Sequence, residues 1–425
     1  MPVDDAVPTT RSDGFRALRH PGFRIYFGGM LARGLVVWIQ LVTVPWFAIE
    51  LGARPAEVGL VTGLQFLPSL IVAPLAGVLA DRLDRGRLLM LTQAGSVVQS
   101  VGLLAIAASG MATVPMLMLF ALTFGTLTAL ELPVRQSYLT ELVPRADLQS
   151  AVSLHATAWN TSRFVGHAIA GLVIAGPGIP VNFALTAIGA LLVLGSVLLG
   201  DRYRDRSRQT RTTAGVRASL AEGARFAFGE PRIRGPLLLL AAGGILGIQW
   251  FQTLAPLYVA GPLGLGGGEF GLFMALWGGG AVLSAYIITG VARGDRRRWT
   301  LGGAAGLAIL LVVLGSTTLV PLAFLVAAGL GVAQIALVQN TMIAVQAAAP
   351  DELRGRVMGL YTTIFQGTAP FGAFASGWLA EVAGVPATLV VGGLLLGGVA
   401  SLGSIAAFRP SWLPAQWAGR TGDGG

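Results

Sequence analysis

Apolar stretches of about 20 residues, the length a helix needs to cross ~30 Å of hydrocarbon, recur along the chain between short polar or glycine-rich breaks. Twelve are read, centred near Met30, Pro68, Gly102, Gly125, Asn160, Gly189, Gly247, Gly278, Ile309, Gly331, Pro370 and Leu395. The longest polar interruption, from about Gly200 to Gly235, falls near the middle, with six stretches before it and six after. Its first part, Asp201 to Arg211, is a charge run expected to be irregular. Its second part, Val216 to Phe228, sets Leu220, Ala224, Phe226 and Phe228 against Arg217, Glu222 and Arg225. That is the pattern of an amphipathic helix lying on a membrane surface. The expected division is a polar tail over 1–21, a six-helix bundle over 22–199, the linker over 200–235, a second bundle over 236–408 and a tail over 409–425.

The halves also echo each other. A shift of 206 residues lays Pro144 on Pro350, Leu154 on Leu360, Trp159 on Phe365, Asn160 on Gln366, Gly166 on Gly372 and Gly171 on Gly377. The loop at Asp81-Arg82 has an eroded counterpart in 290–298. Two parallel six-helix repeats joined by a linker are the layout of a rocker-type secondary transporter. The expected fold is thus an all-α integral membrane protein, with twelve transmembrane helices in two bundles related by a pseudo-two-fold axis.

Composition agrees with a bilayer. Hydrophobic residues make up 54% and charged residues 12%, against about 25% charged in soluble domains, and the mean hydropathy is +0.72. The 60 glycines and 22 prolines are tolerable in membrane helices, where neighbours re-satisfy the backbone and small residues allow close packing. All 29 basic residues are arginine, which reads as genomic composition bias. With the Asp81 loop assigned to the cytoplasm, arginines accumulate in the cytoplasmic segments, and the opposite side receives Arg54 alone. By the positive-inside rule both termini are expected to face the cytoplasm, with basic segments against anionic headgroups. The net charge of +9 therefore does not point to nucleic acid. There is no cysteine, no metal-ligand spacing and, without lysine, no phosphate-binding Gly-x-x-x-x-Gly-Lys loop. No cofactor or metal is expected, nor an ATP-driven pump. Residues 1–21 lack the apolar core of a cleaved signal, so the first helix is expected to direct insertion.

Between the second and third stretches, Gly77-Val-Leu-Ala-Asp81-Arg82-Leu-Asp84-Arg85-Gly86-Arg87 packs five ionisable residues into seven positions. With Phe23-Arg-Ile-Tyr-Phe, Trp38-Ile-Gln40, Gly59 to Pro68, Thr92-Gln93, Glu131-Leu-Pro-Val-Arg135-Gln136, Asn160-Thr-Ser-Arg163-Phe-Val-Gly166 and Pro350-Asp-Glu-Leu-Arg354-Gly-Arg356, the chain resembles the major facilitator superfamily. Within it, the likeness is to the branch of drug and siderophore exporters similar to the enterobactin exporter, which implies a bacterial inner membrane. The resemblance implies a central cavity lined by helices one, four, seven and ten. It also implies a conformational latch of Gly77, Asp81, Arg82 and Arg85 against Arg354 and Arg356 at the start of helix eleven. There Asp81 would meet a helix N-terminus only when the cytoplasmic side is closed. The chain departs from the branch at His167, where proline is usual, at Arg33, usually small and polar, and at Gly86, usually basic. The arginine that antiporters often carry early in helix four is replaced by Ala121.

Ionisable groups at membrane depth are functional candidates. Arg33 lies about eleven residues, ~16 Å, into helix one, and Glu131 lies midway in helix four with Arg135 at i+4. Arg163 and His167 share the i,i+4 relation in helix five. Glu131 is read as a proton carrier paired in turn with Arg33, Arg135 or Arg163, or else as a fixed ion pair with Arg135. His167 is either a packed, hydrogen-bonded histidine or a proton relay. Trp38, Gln40, Gln249, Trp250, Gln252, Gln334, Gln339 and Asn340 supply indoles and amides for a substrate cavity, or bridge helices. The expected activity is not enzymatic. It is export of hydrophobic or amphipathic small molecules in exchange for protons, by a monomer working by alternating access. The alternative is export of a siderophore or another anionic metabolite, favoured if Arg33 faces the cavity. A non-transporting membrane enzyme or sensor is the alternative of another class.

Overall fold

A computed structural model describes the backbone of residues 11–82, 84–205, 216–291 and 296–407. Six long helices come first: α1 (Pro21–Glu50), α2 (Pro55–Arg82), α3 (Arg85–Ser109), α4 (Val114–Leu142), α5 (Leu148–Ala175) and α6 (Ile179–Gly200). The linker contributes α7 (Val216–Gly229). The seventh span runs through α8 (Pro231–Ala242), a π turn over Gly243–Gln249 and α9 (Trp250–Ala260). The remaining five are α10 (Gly267–Val291), α11 (Arg296–Gly315), α12 (Val320–Ala348), α13 (Asp351–Ala383) and α14 (Val385–Ala407). Asp84 caps α3 by accepting from the Arg87 N–H at 2.9 Å. Prolines open α1, α4, α6, α8 and α12, where no intrahelical N–H is needed. The π turn, in a Gly-Gly-Ile-Leu-Gly sequence, was not foreseen; such turns mark places where a helix departs from regular packing.

The two halves repeat one set of neighbours. In the first, α1 packs on α5 and α6, α2 on α4, and α3 on α4 and α6. In the second, the α8–α9 span packs on α13 and α14, α10 on α12, and α11 on α12 and α14. This is the major facilitator fold, two six-helix bundles related by a pseudo-two-fold axis. The bundles meet along α2 with α13 and α5 with α10, which exchange under the repeat. At both seams a glycine pair lets backbones touch: Gly171 meets Gly271, and Gly377 meets Gly59. Gly171 and Gly377 are the pair that the 206-residue shift superposes.

These contacts pinch the bundles together at the end away from the linker, where the Ala56 N–H also donates to Glu381 at 3.2 Å. Towards the linker end the same faces open. On α5, Ser153 and Thr157 are exposed although Phe164 and Gly171, on the same face, touch α10; on α13, Thr363 is exposed although Gly367 touches Leu70. A cleft therefore opens at the linker end and closes near mid-depth. Helix α7 forms where its amphipathic pattern predicts, but its apolar side docks on protein. Phe226 and Ala227 pack with Ile233, Leu237, Val345, Val357 and Tyr361, and Glu222 pairs with Arg356 at 2.5 Å.

Candidate functional site

Glu131 and Arg33, each 2% exposed, are held face to face in the first bundle. Arg33 Nε donates to Glu131 Oε2 at 2.7 Å, and Arg33 Nη2 lies 2.6 Å from the same oxygen. Arg135 Nη1 donates to Oε1 at 3.2 Å from one turn along α4. Both carboxylate oxygens are therefore engaged, one from α1 and one from α4. Arg33 Nη2 also donates to Thr128 Oγ1 at 3.2 Å, and Arg135 lies over the Trp159 ring at 5.2 Å. Two guanidiniums share one carboxylate, and Arg33 Nη1 and Arg135 Nε keep no hydrogen-bond partner. Beside them lies a cavity of about 10 Å³, lined by Tyr26, Gln93, Ser196 and the three charged residues, room for a single water.

On α5, Arg163 and His167 are both buried but do not join this cluster. Arg163 sits between the Trp38 and Trp277 rings, at 5.7 and 5.1 Å. His167 meets Trp38 edge-on at 5.3 Å and lies 5.6 Å from Trp277. A second cavity, of about 20 Å³, lies between the bundles, with Trp38, Thr62, Gln65, His167, Gln252 and Trp277 on its wall. Thr62 Oγ1, both side-chain polar atoms of Gln65, Trp38 Nε1 and His167 Nδ1 are buried there without hydrogen-bond partners. Sequence reasoning missed Thr62 and Gln65, although a polar i,i+3 pair in an apolar helix was the available signal.

Of the expected cavity residues, Trp38 and Gln252 reach this inter-bundle space. Gln334 is buried with its Oε1 unpartnered, and Gln339 is half-buried on α12. Others turn elsewhere, because a buried amide takes the partner its own helix face offers. Gln40 bridges α1 to α3, donating to Gln99 and Ser100 at 3.2 and 3.1 Å. Gln249 packs on Gly372 and donates to Thr253 at 3.4 Å. Trp250 packs on Gly392 of α14. Asn340 donates to the Ala336 carbonyl at 2.8 Å and accepts from Arg296 at 3.2 Å.

At the linker end the side chains of Gly77, Asp81 and Arg82 lie outside the described residues. Arg354 pairs with Asp351 at 2.5 Å and Arg356 with Glu222. Arg85, expected in the latch, instead turns into the first bundle and pairs with Glu141 at 2.9 Å. It belongs to a second charge cluster that the sequence did not reveal. There Arg204, just past α6, pairs with Asp84, with Glu141 at 3.0 Å and with Asp201 at 3.0 Å. Burial opposes the charge on Arg204, but the bond to Asp84 and the fields of Asp201 and Glu141 outweigh it and raise its pKa above the ordinary value. A Cβ on Gly86 would strike Arg204 Nη1 and Asp201 Oδ1. The glycine that departs from the branch's pattern leaves room for a guanidinium arriving from the segment after α6.

A family model described as transmembrane secretion effector matches residues 12–412. The staphyloferrin A transporter of Staphylococcus aureus is 30% identical over 39% of this chain and 42% of its own length. The multidrug efflux pump Tap of Mycolicibacterium fortuitum is 28% identical, over 92% of this chain and 96% of Tap. Among solved structures, that of the nucleoside transporter NupG has a TM-score of 0.71 at 14% identity, covering 92% of this chain and 99% of that one, a likeness of fold alone.

Proposed function

This chain belongs to the transmembrane secretion effector family of the major facilitator superfamily, and we propose that it exports amphipathic small molecules from the cytoplasm in exchange for protons. The observation that carries this reading is Glu131 at mid-membrane, with Arg33 of α1 on one carboxylate oxygen and Arg135 of α4 on the other. A proton arriving at Glu131 has to displace a guanidinium, so proton binding and the approach of α1 to α4 exclude each other. The excess of arginine at the linker end makes that end the cytoplasmic one, and the cleft then faces inward. In this conformation Glu131 is deprotonated and paired, and the cleft is open for substrate. As the bundles rock to the outward-facing state, α1 shifts against α4 within the first bundle, Arg33 withdraws and Glu131 takes a proton from outside. The return brings Arg33 back and expels the proton to the cytoplasm. One pH unit of gradient supplies about 1.4 kcal/mol per proton, a tenfold accumulation.

Support also comes from Tap, whose name describes multidrug efflux over nearly the same length. Arg33 is occupied by Glu131, so it no longer argues for an anionic substrate. Arg354 and Arg356 hold partners on their own side of the cleft in this conformation, which leaves Asp81 to reach the start of α13 when the cytoplasmic end closes. Asp81→Asn should then lose efflux at normal expression. The direct test is movement of amphipathic fluorescent dyes, anionic and cationic in parallel, in proteoliposomes under an imposed pH gradient. Accumulation that collapses with a proton ionophore is expected; gradient-insensitive accumulation would remove proton exchange.

A further inference from the structure

Among the described residues, four buried arginines, Arg33, Arg85, Arg135 and Arg204, are paired with carboxylates. Arg163 is not. It is 7% exposed, and no carboxylate lies within ion-pair distance of it among the described residues. A guanidinium cannot shed its charge at this depth, so its N–H donors must be satisfied from outside the fold. Its neighbours at the guanidinium are two indoles, Trp38 from α1 and Trp277 from α10, with ring centres 5.7 and 5.1 Å from Cζ, and neither offers an oxygen acceptor to the N–H groups. Nε and Nη2 are both without hydrogen-bond partners. Those two nitrogens lie along one edge of the guanidinium, the edge that meets both oxygens of a carboxylate side-on.

The placement suits a ligand as well as the chemistry does. Arg163 lies where the bundles part. One turn towards the linker end Asn160 is half-buried, and two turns on Ala156 is exposed, both on the arginine's side of α5. Both nitrogens are enclosed in this conformation, so a solute in the cleft comes within a turn of that edge and reaches it as the seam opens. Trp38 and Trp277 belong to opposite bundles, so whatever occupies that edge touches the seam that must open during transport. One turn further from the linker, the unpartnered polar atoms of Thr62, Gln65 and His167 line the inter-bundle cavity.

We propose that Arg163 anchors an oxyanion, a carboxylate or an acidic phenolate, on an aromatic amphipathic substrate, with Trp38 and Trp277 fixing the guanidinium plane and supplying the apolar wall. This rests on the exporter function above and narrows it to a substrate class. The test uses the full chain in detergent micelles, with radiolabelled 1-naphthoate and 1-naphthamide, which share a ring system and differ in charge. Wild-type protein should bind the naphthoate about tenfold or more tightly than the amide. Arg163→Gln should bring the naphthoate down to the amide's level and leave the amide within about twofold. Arg163→Lys, which keeps the charge and loses the flat fork, should fall between. Equal affinities of wild-type protein for the two compounds would overturn the proposal without recourse to any variant, and so would full naphthoate preference in Arg163→Gln. Glu131→Gln should keep the preference, because the two residues make no contact. A preference that survives alongside failed proton coupling would thus sink the coupling and not the anion site.

Discussion

Two buried charge clusters lie in the same bundle and differ in how their charges balance. At the linker end, Arg85 and Arg204 stand among three carboxylates, Asp84, Glu141 and Asp201. Two of these lie where helices begin or end, Asp84 capping α3 and Asp201 following α6. At mid-membrane the shared group is the carboxylate instead, and Glu131 serves both Arg33 and Arg135. The first cluster ties α3, α4 and the segment after α6 into one body, with three carboxylates on the one Arg204 guanidinium. The second joins α1 to α4 through one carboxylate that both guanidiniums share. A surplus of acceptors around a fixed cation makes a brace. A surplus of cations around one carboxylate makes a site whose pairing can be exchanged.

The brace should break hardest. Arg204→Ala strips the shared partner from three carboxylates, and removing one member of a buried pair costs about 3–5 kcal/mol. A large drop in the unfolding temperature in detergent is expected, with loss of protein from the membrane. Gly86→Ala crowds the same guanidinium from the other side, and overpacking of this kind costs about 1–3 kcal/mol. Its unfolding temperature should fall by less, and transport per folded molecule should persist. The smallest effect is expected at a buried polar contact outside both clusters. Replacing Gln40 and Gln99 by leucine and Ser100 by alanine removes the donors and acceptors of this contact together, which is close to neutral. Unfolding within about 1 kcal/mol of wild type, and unchanged transport, would set the baseline against which charged residues are judged.

Much of this was legible in the sequence because the bilayer imposes strict rules. Apolar length predicted the spans, and the 206-residue echo predicted matched glycines that the structure places at the two seams. The in-membrane Arg33, Glu131 and Arg135 stood out because charge is expensive there, and the structure brings all three together. What the sequence could not convey was which way each amide turns. Gln40 and Asn340 look like cavity residues at their depth, but Gln99 and Arg296 claim them. Arg204 was hidden for another reason. It sits in a charge run whose residues look alike, and only the chain's return past α6 brings it to the space above Gly86. The π turn in the seventh span was equally invisible, since glycine pairs are common in such helices.

The central claim is that Glu131 exchanges a guanidinium for a proton as the bundles rock. Glu131→Gln removes the exchange without changing the shape of the side chain, so two assays on one preparation separate coupling from movement. In proteoliposomes, the variant should lose accumulation driven by a pH gradient and retain substrate counterflow, which needs alternating access but no net proton movement. Accumulation of substrate by Glu131→Gln at the wild-type rate and to the wild-type extent under the same gradient would contradict the claim.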